Sequence, residues 1–195
     1  VGCRGADVTL RIEQTGLAGL VVAHLRTFPD ARGSFRELFR ADHFAAAGLP
    51  ETIAQVNLSR SSRGVVRGLH FQWDPPQAKC MRVARGRAFV VAVDVRKGSP
   101  SCGQAWWRAV AAGEDLWVCA PAGFARGLQA LEDDTDVEYL CSAPYAAAHE
   151  GGIRWDDRAL AIPWPMAPTE VSEKDRAAPT VAEWLAGPRG DVFAV

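Results

Sequence analysis

The sequence has almost no charge imbalance: 22 Lys and Arg stand against 23 Asp and Glu, a formal net charge of −1. Without a global field of either sign there is no electrostatic case for a nucleic-acid polymer or an acidic membrane surface, so any anionic ligand must be met by local cations. Long apolar runs are missing too. Asp, Arg or Gly breaks every hydrophobic stretch well before the roughly 20 residues that cross a bilayer, so no membrane-spanning helix is expected. The five cysteines, Cys3, Cys80, Cys102, Cys119 and Cys141, are odd in number and contain no CxxC pair. With no basic-then-apolar leader, a reduced, cytoplasmic setting is expected. The first residue is Val rather than Met, and the first few positions carry no weight. Internal repeats, low-complexity tracts and interdomain linkers are also absent. A chain of 195 residues can bury one sizeable core but is short for two, so one domain is expected, with a core at about 18–176 and an irregular tail at 177–195.

What is present is mostly strand pattern. Short apolar bursts at Leu20–Val22, Ile53–Leu58, Ala88–Val95, Ala105–Ala111, Asp115–Cys119 and Val137–Cys141 read as strands. The clearest is Arg87–Arg96, with Phe89, Val91, Val93 and Val95 on one face; the preceding Arg85-Gly86 predicts a tight turn from a partner strand at Lys79–Ala84. Helix signals are few. Asp42 is a candidate cap for a turn over His43–Ala47, and Thr180 with Glu183 has capping-box spacing. Many short strands between Gly and Pro turns predict a sandwich, jelly roll or small barrel, in which closure or two-sheet packing hides the strand edges. Pro163, Pro165 and Pro168 mark the end of the β body.

The densest polar cluster runs from Arg63 through Arg67, Gly68 and His70 to Gln72 and on to Lys79. In a regular strand Arg67 and His70 would face opposite ways, but Gly68 can carry a bulge that re-aims one of them. Taken alone, His70 reads as a hydrogen-bonded core histidine and the arginines as solvated. Further clusters are Asp30-Ala-Arg32-Gly33 with Glu37, Gln55-Val-Asn57-Leu-Ser59, and Pro121-Ala-Gly-Phe124-Ala-Arg126-Gly127. Val137-Glu-Tyr139, Tyr145, Glu150-Gly-Gly-Ile153, Ile162-Pro-Trp164 and Ser172-Glu-Lys174-Asp175 follow them.

As an ordered set, these motifs resemble the dTDP-4-dehydrorhamnose 3,5-epimerase family over about residues 20–176. The resemblance implies an all-β cupin-type jelly roll with a few short helices. It also implies a homodimer acting on dTDP-4-keto-6-deoxyglucose or a close relative, with neither metal nor organic cofactor. By the same resemblance His70 matches the general base, Tyr139 the opposing acid, and Asp175 the carboxylate that pairs with the histidine. Arg32, Glu37, Gln55, Asn57, Arg67, Lys79, Glu150 and Lys174 match substrate contacts, and Tyr145 an aromatic that stacks on the thymine. The chemistry asks for such groups. Removing a C–H beside a ketone leaves an enolate, so one group must take the proton and another must support the oxygen, with Lys79 the natural candidate there. Inversion needs a separate acid on the opposite ring face. A histidine of pKa about 6.5 and a tyrosine of about 10 suit the two roles.

Three departures stand out: Val56 between Gln55 and Asn57, Phe71 after His70, and Arg126 where the family carries a histidine. Arg126 is counted among the substrate contacts and is expected to narrow the reaction to one carbon. A metal-binding cupin would need a His-x-His pair and a histidine in the Gly-rich turn; Phe71-Gln72 and Arg126 occupy those positions, and a guanidinium cannot ligate. A sugar-nucleotide-binding cupin with little or no turnover is the alternative.

Overall fold

The computed structural model describes residues 10–195, and Cys3 lies outside them. The N-terminal strands are β1 (Arg11–Gln14), β2 (Val21–His24), β3 (Thr27–Asp30) and β4 (Gly33–Arg36), followed by helix α1 (Ala41–Ala46). The body comprises β5 (Gln55–Ser61), β6 (Val66–Gln72), β7 (Lys79–Arg85), β8 (Arg87–Asp94), β9 (Ala105–Ala111), β10 (Leu116–Ala120), β11 (Phe124–Ala130), β12 (Thr135–Cys141) and β13 (Glu150–Gly152). Two short helices close the chain, α2 (Glu173–Arg176) and α3 (Val181–Ala186).

Two antiparallel sheets pack face to face as a cupin jelly roll. One runs β1-β2-β10-β7-β12-β5, the other β13-β6-β11-β8-β9, and β3-β4 forms a separate hairpin. Between the sheets lie Leu20 just before β2 and Val22 within it, Met81 and Val83 of β7, Val90 and Ala92 of β8, Leu116 and Val118 of β10, and Phe124, Leu128 and Val137. Each such side chain, fully buried, contributes about 1.5–3 kcal/mol relative to exposure.

The turn at Arg85-Gly86 does not close a hairpin between β7 and β8, as the sequence predicts. β7 pairs with β10 and β12, whereas β8 pairs with β9 and β11. The turn instead carries the chain from one sheet to the other. Gly86 has φ +72°, and a Cβ there would lie 2.7 Å from Thr135 Oγ1. Alternation within one strand says which residues share a face, but not which strand lies alongside.

β8 is apolar on both faces because both are covered. Val90 and Ala92 face the sandwich interior, while Phe89, Val91 and Val93 meet Leu69, Phe71, Ile153, Leu160, Val181 and Phe193. The tail is therefore part of the structure. Trp184 of α3 sits 4.5 Å, ring to ring, from Phe71, and the Thr180–Glu183 capping box forms as predicted. The other helix expectation shifts: α1 begins at Ala41 with Arg40 as N-cap, and Asp42 lies within the first turn, paired with Arg40 at 2.7 Å. On the outer face of the larger sheet, α1 brings Phe44 against Trp117, whose indole donates to Leu38 O.

The reduced-cysteine expectation is corrected at one pair. Cys80 and Cys119 stand directly opposite in the β7–β10 register and form a disulfide, while Cys102 and Cys141 are free. Cross-strand register, invisible in spacing, brings the two together.

Candidate active site

Past the apolar interior the sandwich opens into a cavity of about 650 Å³ between β5, β7 and β12 on one side and β6 and β11 on the other. The same inward-facing alternation continues, but with Asn57, Ser59, Lys79, Tyr139, His70 and Arg126 in place of Val and Leu. The inward face is polar because the sequence changes along it, not because the backbone does.

The predicted bulge in β6 is present. Arg126 of β11 lies opposite His70, while Leu128, two residues on, lies opposite Arg67, so β6 carries one extra residue between them. That residue count puts Arg67 and His70 on the same cavity wall. Gly68 has φ +117°, and a Cβ would meet Arg126 O and Gly127 Cα, both at 2.8 Å. Only glycine fits there.

His70 Nε2 and Asp175 Oδ1 are 2.6 Å apart across 105 positions of chain. Asp175 is buried on α2, where Ser172 caps its amide, and its second oxygen accepts from Gly68 N at 3.1 Å. Burial alone would raise the Asp175 carboxyl; the His70 bond and charge and the Gly68 amide outweigh it and hold the group below its usual value. An ionised Asp175 fixes the tautomer with hydrogen on Nε2, leaving Nδ1 as a base.

On the facing sheet Tyr139 Oη lies 2.9 Å from Ser59 Oγ, and burial keeps the phenol protonated above its usual range despite that bond. Lys79 Nζ sits 5.7 Å from the Tyr139 ring centre. Burial, and next the charge of Arg126, push the Lys79 ammonium down to about 8. Arg126 is 3% exposed, donates from Nη1 to Gln77 O at 3.0 Å, and is lowered by burial to about 10. Arg67 is held by Ser61 Oγ at 2.8 Å and Arg60 O at 3.1 Å.

Of the remaining predicted residues, Lys174 lines the cavity and pairs with Glu150 at its rim. Glu150 also accepts from the Tyr145 hydroxyl at 3.1 Å, and Gln55 Oε1 accepts from Tyr145 N while Gln55 Nε2 donates to Asn57. Arg32 and Glu37 are not brought to this cavity. Arg32 is bound to Asp30 at the tip of the separate hairpin, and Glu37 to His43 at 3.1 Å. Within one chain Arg32 therefore does not join Arg67 and Lys79, since β3 and β4 pair only with each other. Ser59, Ser61 and Ser172 had no predicted role; the continued alternation 55, 57, 59, 61 was the available signal.

A jelly roll with a His–Asp pair and a tyrosine around one cavity is equipped to move protons on a bound ligand. Comparison with known proteins agrees. The family model described as dTDP-4-dehydrorhamnose 3,5-epimerase matches residues 14–183. A relative of that name from Sinorhizobium fredii is 44% identical over 177 residues, covering 88% of this chain and 89% of the relative. Among solved structures, NovW, a 4-keto-6-deoxy sugar epimerase from Streptomyces spheroides, superimposes with TM-score 0.86 at 36% identity, covering 95% of this chain and 94% of its own. ChmJ, a 3′-monoepimerase from Streptomyces bikiniensis solved with dTDP-quinovose, gives TM-score 0.83 at 34% identity over 92% and 91% of the two chains. This chain belongs to the dTDP-4-dehydrorhamnose 3,5-epimerase family, and it is an isomerase of the epimerase class.

Proposed function

We propose that the protein epimerises a dTDP-linked 4-keto-6-deoxyhexose, with His70 as base, Tyr139 as opposing acid and Asp175 as the partner that orients His70. The carrying observation is the 2.6 Å His70–Asp175 pair lining the same cavity as Tyr139. In this reading His70 Nδ1 takes the proton from a carbon beside the C4 ketone. The electron pair moves into a C=C bond, and the C4 oxygen becomes an enolate facing Lys79. Tyr139 then delivers a proton to the other face, restoring the ketone with inverted configuration, and solvent resets both side chains. Arg67 and Lys174 supply cations for the diphosphate. The exposed ring of Tyr145, hydrogen-bonded to Glu150, offers a stacking face for thymine.

The test is solvent-deuterium wash-in with dTDP-4-keto-6-deoxyglucose. Tyr139→Phe is expected to keep exchange within about tenfold while net inversion falls about 10²-fold or more, the range of a lost general acid. Equal loss of both would remove Tyr139 from the acid role. Nucleotide-sugar binding without exchange in the unaltered protein would instead favour a binding module.

A homodimer in the cytoplasm completes the proposal, with each chain one domain. Edge strand β5 exposes Val56 at 64% and Leu58 at 56%, and the β3-β4 hairpin exposes Phe35 at 69%. A second copy covering these would also explain why Arg32 and Glu37 lie off their own chain's cavity. For location, the support is that Cys102 and Cys141 are free thiols. Among the described residues no helix is long and apolar enough to cross a membrane.

A further inference from the structure

Arg126 reaches across the sandwich from one sheet to the other. Its backbone belongs to β11, yet Nη1 donates at 3.0 Å to Gln77 O, two residues before Lys79, where the chain enters β7 in the opposite sheet. Nε and Nη2 are buried without a partner among the described residues, so no carboxylate there offsets the charge. Gln77 is buried too; its Nε2 donates to Ala143 O at 2.8 Å, and Ala78 and Ser142 bond to each other alongside it. The entry to β7 is thus pinned from both sheets, and Lys79 follows at once, opposite Cys141 in the β12 register.

A buried guanidinium without a counter-ion is costly to keep, and its field reaches far in surroundings emptied of water. Around the Lys79 ammonium stand Arg126 of β11, Tyr139 and Cys141 of β12, and Glu150 of β13. Arg67 and His70 of β6 and Lys174 and Asp175 of α2 share the cavity. Burial keeps the Tyr139 phenol and the Cys141 thiol protonated, and so neutral. Glu150 favours a charged Lys79, and Arg126 opposes it.

Resting on the epimerase reading, we propose that Arg126 is a positioning residue that acts through Lys79: its bond to Gln77 O fixes where the ammonium meets the C4 oxygen, and its positive charge makes that ammonium a stronger donor. An enolate oxygen is far more basic than the ketone it comes from. A donor that yields its proton readily is therefore favoured in the transition state much more than in the ground state. As His70 takes the carbon-bound proton and the electron pair moves into the C=C bond, a proton of Lys79 shifts toward O4. When Tyr139 protonates the carbon, that proton returns to Nζ. The Lys79 ammonium, lowered to about 8, suits the role. The histidine that the family carries at position 126 would be neutral where Lys79 titrates and would exert no such push.

The experiment is the pH profile of epimerisation of dTDP-4-keto-6-deoxyglucose, with kcat and KM read separately. The unaltered enzyme is expected to lose kcat/KM as pH rises through about 8. Arg126→His should move that midpoint up by about half a pH unit or more and lower plateau kcat by about tenfold, with KM within about threefold. Arg126→Gln, also neutral, reads the same shift if the imidazole variant does not fold. In a Lys79→Arg background neither substitution should move the profile, because the titrating group is gone. A midpoint that stays put in a folded variant, or a shift that persists without Lys79, overturns the inference alone. So does a KM raised about tenfold with kcat kept, which would make Arg126 a substrate contact. A profile of the unaltered enzyme that stays flat to about pH 10 overturns it without any variant. No turnover at any pH, with nucleotide still bound, overturns the epimerase reading and this inference with it.

Discussion

The two ends of the sandwich share one backbone plan and differ in what their inward residues are. Where β2, β10 and β7 face β8, the inward positions are Leu20, Val22, Leu116, Val118, Met81 and Val90, and the space is filled. Where β5 and β12 face β6 and β11, they are Asn57, Ser59, Tyr139, His70 and Arg126, and the space is open. Strand β7 belongs to both, with Val83 and Met81 toward the filled end and Lys79 at the open one. The filled half gains stability from removing apolar surface from water, while the open half carries a desolvated lysine and arginine that lower it. The first half holds the walls at a fixed separation; the second uses that separation to set His70, Tyr139, Lys79 and Arg126 around one cavity.

Three substitutions sharpen the contrast. His70→Asn in the open half is expected to lower kcat/KM by about 10³-fold or more, the upper range for a lost general base, with the thermal midpoint nearly unchanged. A loss under tenfold would mean that some other group takes the proton. Leu116→Ala in the filled half should do the reverse, costing about 2–5 kcal/mol of stability and leaving kcat/KM per folded molecule within a few-fold. Urea titration and assay of the folded fraction separate the two, and a large change in turnover would show that the halves are mechanically coupled.

The smallest expected effect is in pH. Lys79 is lowered to about 8 from an ordinary 10.5, so kcat/KM should fall as pH rises through about 8 and the ammonium loses its charge. Lys79→Arg, charged throughout, should remove that limb. For stability the sign is opposite. Between about 8 and 10.5 the folded chain binds fewer protons than the unfolded one, so the Lys79 contribution improves as pH rises across that window.

The sequence made the β character, most strand positions and the β6 bulge readable, because alternation and a glycine between Arg67 and His70 are local signals. His70, Tyr139 and Asp175, which the resemblance singles out, line one cavity. Pairing was not readable. The Lys79–Ala84 strand was expected beside β8 and lies in the opposite sheet, and Cys80 meets Cys119 only because β7 and β10 share a register. Arg32 and Glu37 lie off this chain's cavity for the same reason: a motif says which residue type is needed, but not which element delivers it.

The covered outer face of β8 bears on how this protein can be cut and labelled. Phe193 is buried against Phe71 at 5.7 Å between ring centres, Lys97 pairs with Asp191, and the Val195 amide donates to Lys97 O. A fragment ended after Arg176, where the sequence places the end of the core, would keep every strand and every cavity residue. It would nonetheless strip Trp184 and Phe193 from Phe71 and remove Val181 and Leu185 from the same cluster, leaving apolar surface on the outer face of the sheet. For production and tagging the last nineteen or so positions therefore behave as core, and a handle attached there needs a spacer long enough to leave the Lys97 contact in place.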